Sequence, residues 1–166
     1  RTNAQSRPFE DMLVRHGIPY RLVGGFKFYE RKEIKDLLAY LRLLVNPTDT
    51  VSRERLTKLG KRRLTDFESW LAAQTEPATR PPQDLLMDII KVTKFLDQFD
   101  EKDPEEADRL ENIQELVNLS SQFQDTSTML ENVALVQDDV MADAASPTAS
   151  GGLTLMSLHS AKGLEY

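Results

Sequence analysis

The apolar positions of the chain predict helices through its middle. Between Arg31 and Val45 they recur at helical spacing and end at Asn46-Pro47, which predicts a strongly amphipathic helix. The same spacing predicts further helices, which begin near Ser52 as the N-cap, Thr65, Asp84, Pro104 and Asp125. The third of these is expected to run from Asp84 to Phe99 and to be buried on more than one face.

Short strands are predicted on both sides of these helices. A helix over residues 4–16 comes first, and Pro19 then favours an extended strand over residues 20–23, closed by Gly24-Gly25. Near the other end, Leu153, Leu155, Met156 and Leu158 indicate a buried strand. The predicted fold is therefore mainly α, with a helical insertion flanked by partial α/β segments.

Composition excludes several classes of protein. Hydrophobic residues make up 40% and charged residues 29% of the 166 positions, as in ordinary globular proteins. No apolar run is long enough to cross a bilayer, and no signal peptide is evident, so we expect a cytoplasmic location and no membrane contact. The absence of cysteine excludes a disulfide scaffold and thiolate metal sites, and no metal site is predicted. The polar start without an initiator methionine suggests an excised fragment.

Charge is distributed unevenly along the chain. A net charge of −6 argues, taken alone, against nucleic acid as a partner. However, cations cluster at Arg53, Arg55, Lys58, Lys61, Arg62 and Arg63, and acids cluster at Asp97, Asp100, Glu101, Asp103, Glu105, Glu106 and Asp108. Screening confines each patch to roughly 10 Å, so the basic cluster is either a phosphate-binding surface or a solvated helix face. The acidic run is interpreted as a solvated loop and helix start.

Polar residues follow the last predicted strand at once. They are His159, Ser160, Lys162, Gly163 and Glu165. A core strand needs none of them for packing, whereas loops at strand ends in α/β proteins carry ligand contacts. The pattern therefore predicts contact with phosphate, nucleotide or nucleic acid.

Two blocks of sequence resemble the UvrD/Rep/PcrA family of superfamily-one DNA helicases. The first block comprises Arg1-Thr-Asn-Ala-Gln-Ser-Arg7, Gly17-Ile-Pro-Tyr20, Gly24-Gly25, Phe28-Tyr-Glu-Arg31, Glu33-Ile-Lys-Asp36 and Leu41-Arg42 through Asn46-Pro47. The second, Leu158-His-Ser-Ala-Lys-Gly-Leu-Glu-Tyr166, is similar to the fifth motif of that family. The blocks cover about the first fifty and the last fifteen residues, and the resemblance of the helical middle is weaker.

The resemblance implies a division of the chain. Residues 1–50 and 153–166 would be parts of the second RecA-like (P-loop NTPase) motor domain, residues 51–137 its helical insertion, and residues 138–152 a flexible linker. The parent would be an ATP-dependent 3′–5′ DNA helicase of repair or replication. It would use ATP and Mg²⁺ and act on DNA where a single strand meets a duplex. Its partners would be DNA, the remaining domains of the helicase and a repair protein.

The resemblance also implies roles for single residues. Arg1 would reach the γ-phosphate as the catalytic arginine, and Glu165 would lie near the nucleotide ribose. His159 would couple the nucleotide site to DNA, with Ser160 and Lys162 on the DNA side. Gly25, Lys27, Phe28 and Arg31 would lie near the single strand, and Lys61, Arg62 and Arg63 near the duplex. Within the aromatic run, Phe26 and Tyr29 are interpreted as core residues, and Phe28 is the candidate for base stacking.

Departures from the family limit what the fragment can do. The insertion usually carries Gly-Ile-Gly in a helix-hairpin-helix, whereas this chain has Leu59-Gly-Lys-Arg-Arg-Leu64 and a shorter middle. A Gly-Lys-Thr phosphate loop, an acidic magnesium motif and the later arginine finger are also missing, so we expect no ATP hydrolysis by the fragment and no bound cofactor.

Two alternatives remain open. The helical middle could be a protein-interaction or regulatory module with little DNA binding of its own. The parent could also be a helicase-nuclease relative with similar motifs.

Overall fold

A computed structural model of the chain describes residues 9, 12–13, 16, 18, 20–23, 28–74, 79–144 and 153–156. Within these residues it is mainly helical, as predicted. Six helices have both ends in the described part, and Phe9, Met12 and Leu13 are also helical. The six are α1 (Lys32–Val45), α2 (Thr50–Leu59), α3 (Lys61–Ala72), α4 (Pro82–Val92), α5 (Pro104–Ser120) and α6 (Thr126–Ala144). Two strands, β1 (Tyr20–Val23) and β2 (Leu153–Met156), and two 3-10 turns, Phe28–Glu30 and Phe95–Gln98, complete the described part.

The two strands pair with each other although they lie near opposite ends of the chain. They run parallel, with Tyr20 opposite Leu153 and Val23 opposite Met156. A parallel pair needs a long crossover connection, and here that connection contains all six helices. This arrangement confirms the two predicted strands and places the helical middle between them. The second strand was predicted to be buried, but Leu153 is 48% exposed and Leu155 is half-buried, because the described sheet has only two strands.

Helix α1 lies at the centre of the helical body. It contacts α2, α4, α5 and α6, and its residues from Ile34 to Leu44 supply much of the buried core. Phe67 of α3, Leu86 of α4 and Leu116 of α5 belong to the same core. Helix α1, which the sequence-based division assigns to residues 1–50, thus shares one core with helices of the predicted insertion.

The start of α2 differs from the prediction by one turn. Asp49, and not Ser52, is the N-cap, and its carboxylate accepts hydrogen bonds from the Ser52 backbone N–H at 3.1 Å and from the Ser52 hydroxyl at 2.6 Å. These bonds lower the pKa of Asp49, since they stabilise the ionised carboxylate. Ser52 is therefore a donor inside the first turn.

The predicted helix from Asp84 to Phe99 is interrupted. Helix α4 ends at Val92, and Lys94 adopts a left-handed backbone with φ of 50° before the 3-10 turn begins. The interruption turns Phe95 into the core, where its ring lies 5.9 Å from that of Phe99. Lysine carries no sequence signal for such a break, so the apolar periodicity continued across it.

Two other predicted boundaries also shift. Helix α3 begins at Lys61, directly after Gly60, and not at Thr65. Helix α6 runs to Ala144 and so includes part of the segment predicted as a linker, whose remaining residues, 145–152, lie outside the described part. No helix of the described residues is long and apolar enough to cross a membrane.

Tyr40 carries a buried hydroxyl without a hydrogen-bond partner in the described structure. Its side chain is 0% exposed, and its ring packs edge-on against Phe67 at 4.9 Å. Burial raises the pKa of Tyr40 to about 12, because the phenolate would be desolvated. The hydroxyl therefore costs free energy that the ring packing offsets.

Replacing Tyr40 with phenylalanine is expected to increase the free energy of unfolding by about 1 kcal/mol near neutral pH, because it removes the unpaired hydroxyl and keeps the ring. In the wild type, the unfolded tyrosine ionises near pH 10 and the folded one near pH 12, so stability should fall as the pH rises through that window. Urea unfolding at pH 7 and across pH 10–12 measures both effects. Two results would contradict this account: a Tyr40→Phe variant that is less stable than the wild type at pH 7, or a variant that loses as much stability as the wild type between pH 10 and pH 12.

Candidate nucleic-acid interface

Helices α2 and α3 meet at a corner that carries the predicted duplex-binding residues. Gly60 alone joins the two helices, and Lys61, Arg62 and Arg63 form the first turn of α3. We call these three cations the basic corner. Lys61 and Arg62 are exposed, and no hydrogen bond or ion pair to their side chains is found among the described residues. Both side chains are therefore available to an anion.

The electrostatics of this helix start favour an anion. The N-terminal end of a helix carries a partial positive charge, which acidic residues or a capping side chain usually offset. Helix α3 has no acidic residue in its first turn and no side-chain cap, and it adds three cations there instead. Phosphate groups are suited to such a site.

The rest of the predicted basic cluster is partly neutralised. Arg53 pairs with Glu68 of α3, and Arg55 donates from Nε to Asp36 of α1 at 2.6 Å. Burial raises the pKa of Asp36, although the nearby Arg55 charge opposes that shift. Arg63 donates to Gln98 at 3.3 Å and is half-buried. The basic cluster thus contains two kinds of cation: some are available to an anion, and others form ion pairs or hydrogen bonds between helices. The sequence alone did not distinguish the two kinds.

Phe28 and Arg31 are buried, although the resemblance placed them near single-stranded DNA. Phe28 is 1% exposed, and its ring packs edge-on against Tyr29 at 5.2 Å. A ring so covered has no free face for a base, so the predicted stacking of Phe28 does not fit this arrangement. The Arg31 guanidinium carbon lies 5.5 Å from the centre of the Phe28 ring, which is within range for a cation–π contact.

A buried polar network explains the position of Arg31. Its guanidinium donates to the side-chain oxygen of Asn112 on α5, and the Asn112 amide donates to Glu33 on α1 at 2.7 Å. All three side chains are buried. Asn112 therefore bridges a cation and an anion and joins the start of α1 to α5.

Sequence reasoning missed Asn112 and Glu33 as partners. A signal was present, because Asn112 lies on the same helical face as Leu116 and Ser120, all of them buried. A polar residue on an apolar face usually has a hydrogen-bond partner. Its partner on a distant helix could not be derived from local periodicity.

The remaining predicted site residues lie outside the described part of the chain. They are Arg1, Gly25, Lys27, His159, Ser160, Lys162 and Glu165. Their predicted roles stay predictions. Among the described residues, no group of three or more His, Asp or Glu side chains is placed to hold a metal ion.

Residues 1–71 match the model of the UvrD-like helicase C-terminal domain, and similarity to curated helicases extends over the whole chain. The chain is similar to UvrD/PcrA-type helicases over its whole length. The resemblance inferred from the two sequence blocks is thereby confirmed.

Three relatives illustrate the similarity. The ATP-dependent DNA helicase UvrD1 of Mycobacterium tuberculosis (strain ATCC 25618 / H37Rv) is 33% identical over 100% of this chain and 29% of its own length. The ATP-dependent DNA helicases PcrA of Bacillus subtilis (strain 168) and of Staphylococcus aureus (strain NCTC 8325 / PS 47) are 32% and 31% identical, each over 100% of this chain and 29% of its own length. The chain therefore spans under a third of each relative.

The alignments also differ in length from the chain. The comparison with UvrD1 extends over 229 positions, although this chain has 166 residues. The relative therefore contains residues within this region that the chain lacks.

Proposed function

We propose that this chain is part of an ATP-dependent 3′–5′ DNA helicase, and that its helical body is the insertion of the second motor domain. The observation that carries the proposal is the parallel pairing of β1 and β2. It joins a strand that precedes the helical body in sequence to a strand that follows it. An insertion between strands of a RecA-like domain has this topology. The names of the relatives supply the activity and the nucleic acid.

The proposed roles in DNA and nucleotide binding are assigned to residues near the two strands. The carboxyl ends of β1 and β2 lie at the same edge of the sheet, because the strands are parallel. We assign DNA contact to Gly25 and Lys27 after β1, and to Ser160 and Lys162 after β2. His159 would couple these contacts to the nucleotide site, where Arg1 and Glu165 would act. When bound, ATP with Mg²⁺ would supply the energy for movement along DNA.

Within the helical body, we assign contact with the duplex backbone to the basic corner. Its two exposed cations and the uncapped start of α3 support this role. Backbone contact needs no sequence-specific geometry, so it does not depend on the missing Gly-Ile-Gly motif.

A forked DNA tests the assignment of the basic corner. Replacing Lys61 and Arg62 with alanine is expected to reduce the slope of log affinity against log salt by about two units, since each lost phosphate contact removes about one. Fluorescence anisotropy with labelled forked DNA at several salt concentrations gives the slope. The Lys91→Ala/Lys102→Ala pair is a matched control, because it removes two exposed lysines from α4 and from the turn before α5.

The outcomes separate the two functional hypotheses. A slope that falls for the basic-corner pair and not for the control pair supports duplex contact. Absence of binding by the wild-type chain even at low salt would instead favour a protein-interaction or regulatory module. Equal losses in both pairs would contradict the role of Lys61 and Arg62.

A further inference from the structure

Two clefts between the helices share part of their lining. The first, of about 570 Å³, lies beside α2 and is lined in part by Lys32, Asp36, Glu54, Arg55, Lys58 and Gln98. The second, of about 620 Å³, lies between the starts of α1 and α5. Lys32 and Arg55 line both, so the two clefts adjoin each other.

The fold brings Lys32 beside a cluster that is distant in sequence. Arg55 donates from Nη2 to the backbone oxygen of Lys32 at 3.4 Å, in addition to its bond with Asp36. Lys58 lies about one turn further along α2 and lines the same cleft. The start of α1 is thus joined to the second half of α2.

The first cleft also adjoins the basic corner. Gln98, which forms part of its lining, accepts a hydrogen bond from Arg63 at 3.3 Å. Lys61 and Arg62 precede Arg63 in the same helical turn. The cations of the basic corner therefore lie next to those of the first cleft, which extend to Lys32 at the start of α1.

Charge favours the first cleft over the second as a path for an anion. In the first cleft, Arg55 neutralises Asp36, which leaves Lys32 and Lys58 against Glu54. Both lysines are exposed, and no ion pair to either is found in the described part of the chain. In the second cleft, Arg31 and Glu33 belong to the buried network, and the remaining acids Glu30, Glu105 and Asp108 balance the cations Lys32, Lys35 and Arg109. The first cleft therefore keeps one positive charge in excess, whereas the charges that line the second cleft balance.

We propose that the first cleft carries the backbone of a DNA strand between the basic corner and the start of α1, with Lys32 and Lys58 each contacting a phosphate. The path of the strand ends at Lys32, at the start of α1. This inference rests on the proposed function of the basic corner. It adds Lys32 and Lys58 as a pair of DNA contacts, which neither the motifs nor the charge cluster in the sequence had identified as a pair.

The test is charge reversal in the cleft. Lys32→Glu/Lys58→Glu in the 166-residue chain is compared with Lys91→Glu/Lys102→Glu, which changes the net charge equally on exposed positions outside both clefts. The probe is a labelled forked DNA with a 3′ single-stranded tail, measured by anisotropy at several salt concentrations. The cleft pair is expected to reduce the salt slope by about two units more than the control pair. Lys32→Arg/Lys58→Arg should keep wild-type affinity, because it keeps both charges, and circular dichroism checks that each variant is folded.

Three outcomes are distinguishable. A selective loss in the cleft pair, with binding kept by the arginine pair, supports the path. Equal affinity and slope in the cleft and control pairs overturns it, while the proposed function stands if Lys61→Ala/Arg62→Ala still weakens binding. If the wild-type chain does not bind the fork at low salt, the path and the duplex contact of the basic corner both fail.

Discussion

Replacing Arg31 with alanine is expected to lower the free energy of unfolding by about 3 kcal/mol, although the resemblance alone would suggest a DNA-binding defect. The substitution removes the donor to Asn112 and leaves buried Glu33 without the nearby positive charge. It also removes the packing of the guanidinium against Phe28. For a chain of this size, such a loss lowers the melting temperature by roughly 10 °C. Thermal and urea unfolding followed by circular dichroism measures it.

Arg109→Ala provides a matched control. Arg109 lies one turn before Asn112 on α5 and is only half-buried, so its loss is expected to change stability by no more than about 0.5 kcal/mol. In a double-mutant cycle, Arg31→Ala and Asn112→Ala should cost less together than the sum of their separate effects, because they break the same network. Additive effects, or an Arg31→Ala variant as stable as Arg109→Ala, would show that the network does not hold α1 to α5.

Arg1→Ala is expected to reduce ATP hydrolysis about a thousandfold in the complete helicase of which we propose this chain forms part. A guanidinium binds phosphate oxygens through two hydrogen bonds and stabilises the charge that develops on the transferred phosphoryl group. DNA affinity should stay unchanged, since Arg1 is assigned to the nucleotide and not to the strand. Steady-state ATPase assays with saturating DNA, together with anisotropy, measure the two properties separately.

Arg1→Lys separates the role of charge from that of geometry. Lysine keeps the charge and loses the planar pair of donors, so an intermediate rate is expected. Near-wild-type turnover in Arg1→Ala would refute the assignment of Arg1 to the γ-phosphate. A parallel loss of DNA affinity would place the residue on the DNA side.

The sequence predicted the helices well where periodicity and end signals agreed. Helix α1 has six apolar positions at helical spacing and a terminating Asn46-Pro47, and its observed bounds match the prediction to within one residue. Helix α5 begins at Pro104, as predicted, with Asp103 as its cap. Errors arose where a local choice depended on neighbours, as at Lys94, where the backbone turns so that Phe95 reaches the core.

The candidate interface was predicted only in part. Lys61 and Arg62 are exposed, as a phosphate-binding surface requires, and their type and clustering were visible in the sequence. Arg53 and Arg55 looked equivalent to them, yet they pair with Glu68 and Asp36. Ion pairs between helices depend on how the helices pack, and one-dimensional charge patterns do not contain that information.

By itself, the sequence determined most of the local elements, the two motif blocks and the resemblance to a helicase family, because these depend on residue type and on spacing over a few turns. Only the tertiary structure decided that β1 pairs with β2, although the helical body separates them in sequence, and that α1 packs within that body. It also decided that Arg31 is buried while Lys32 lines a cleft. Adjacent residues on a helix differ by about 100° in direction. Which of them faces the core and which faces a ligand is therefore settled by the helices packed around them.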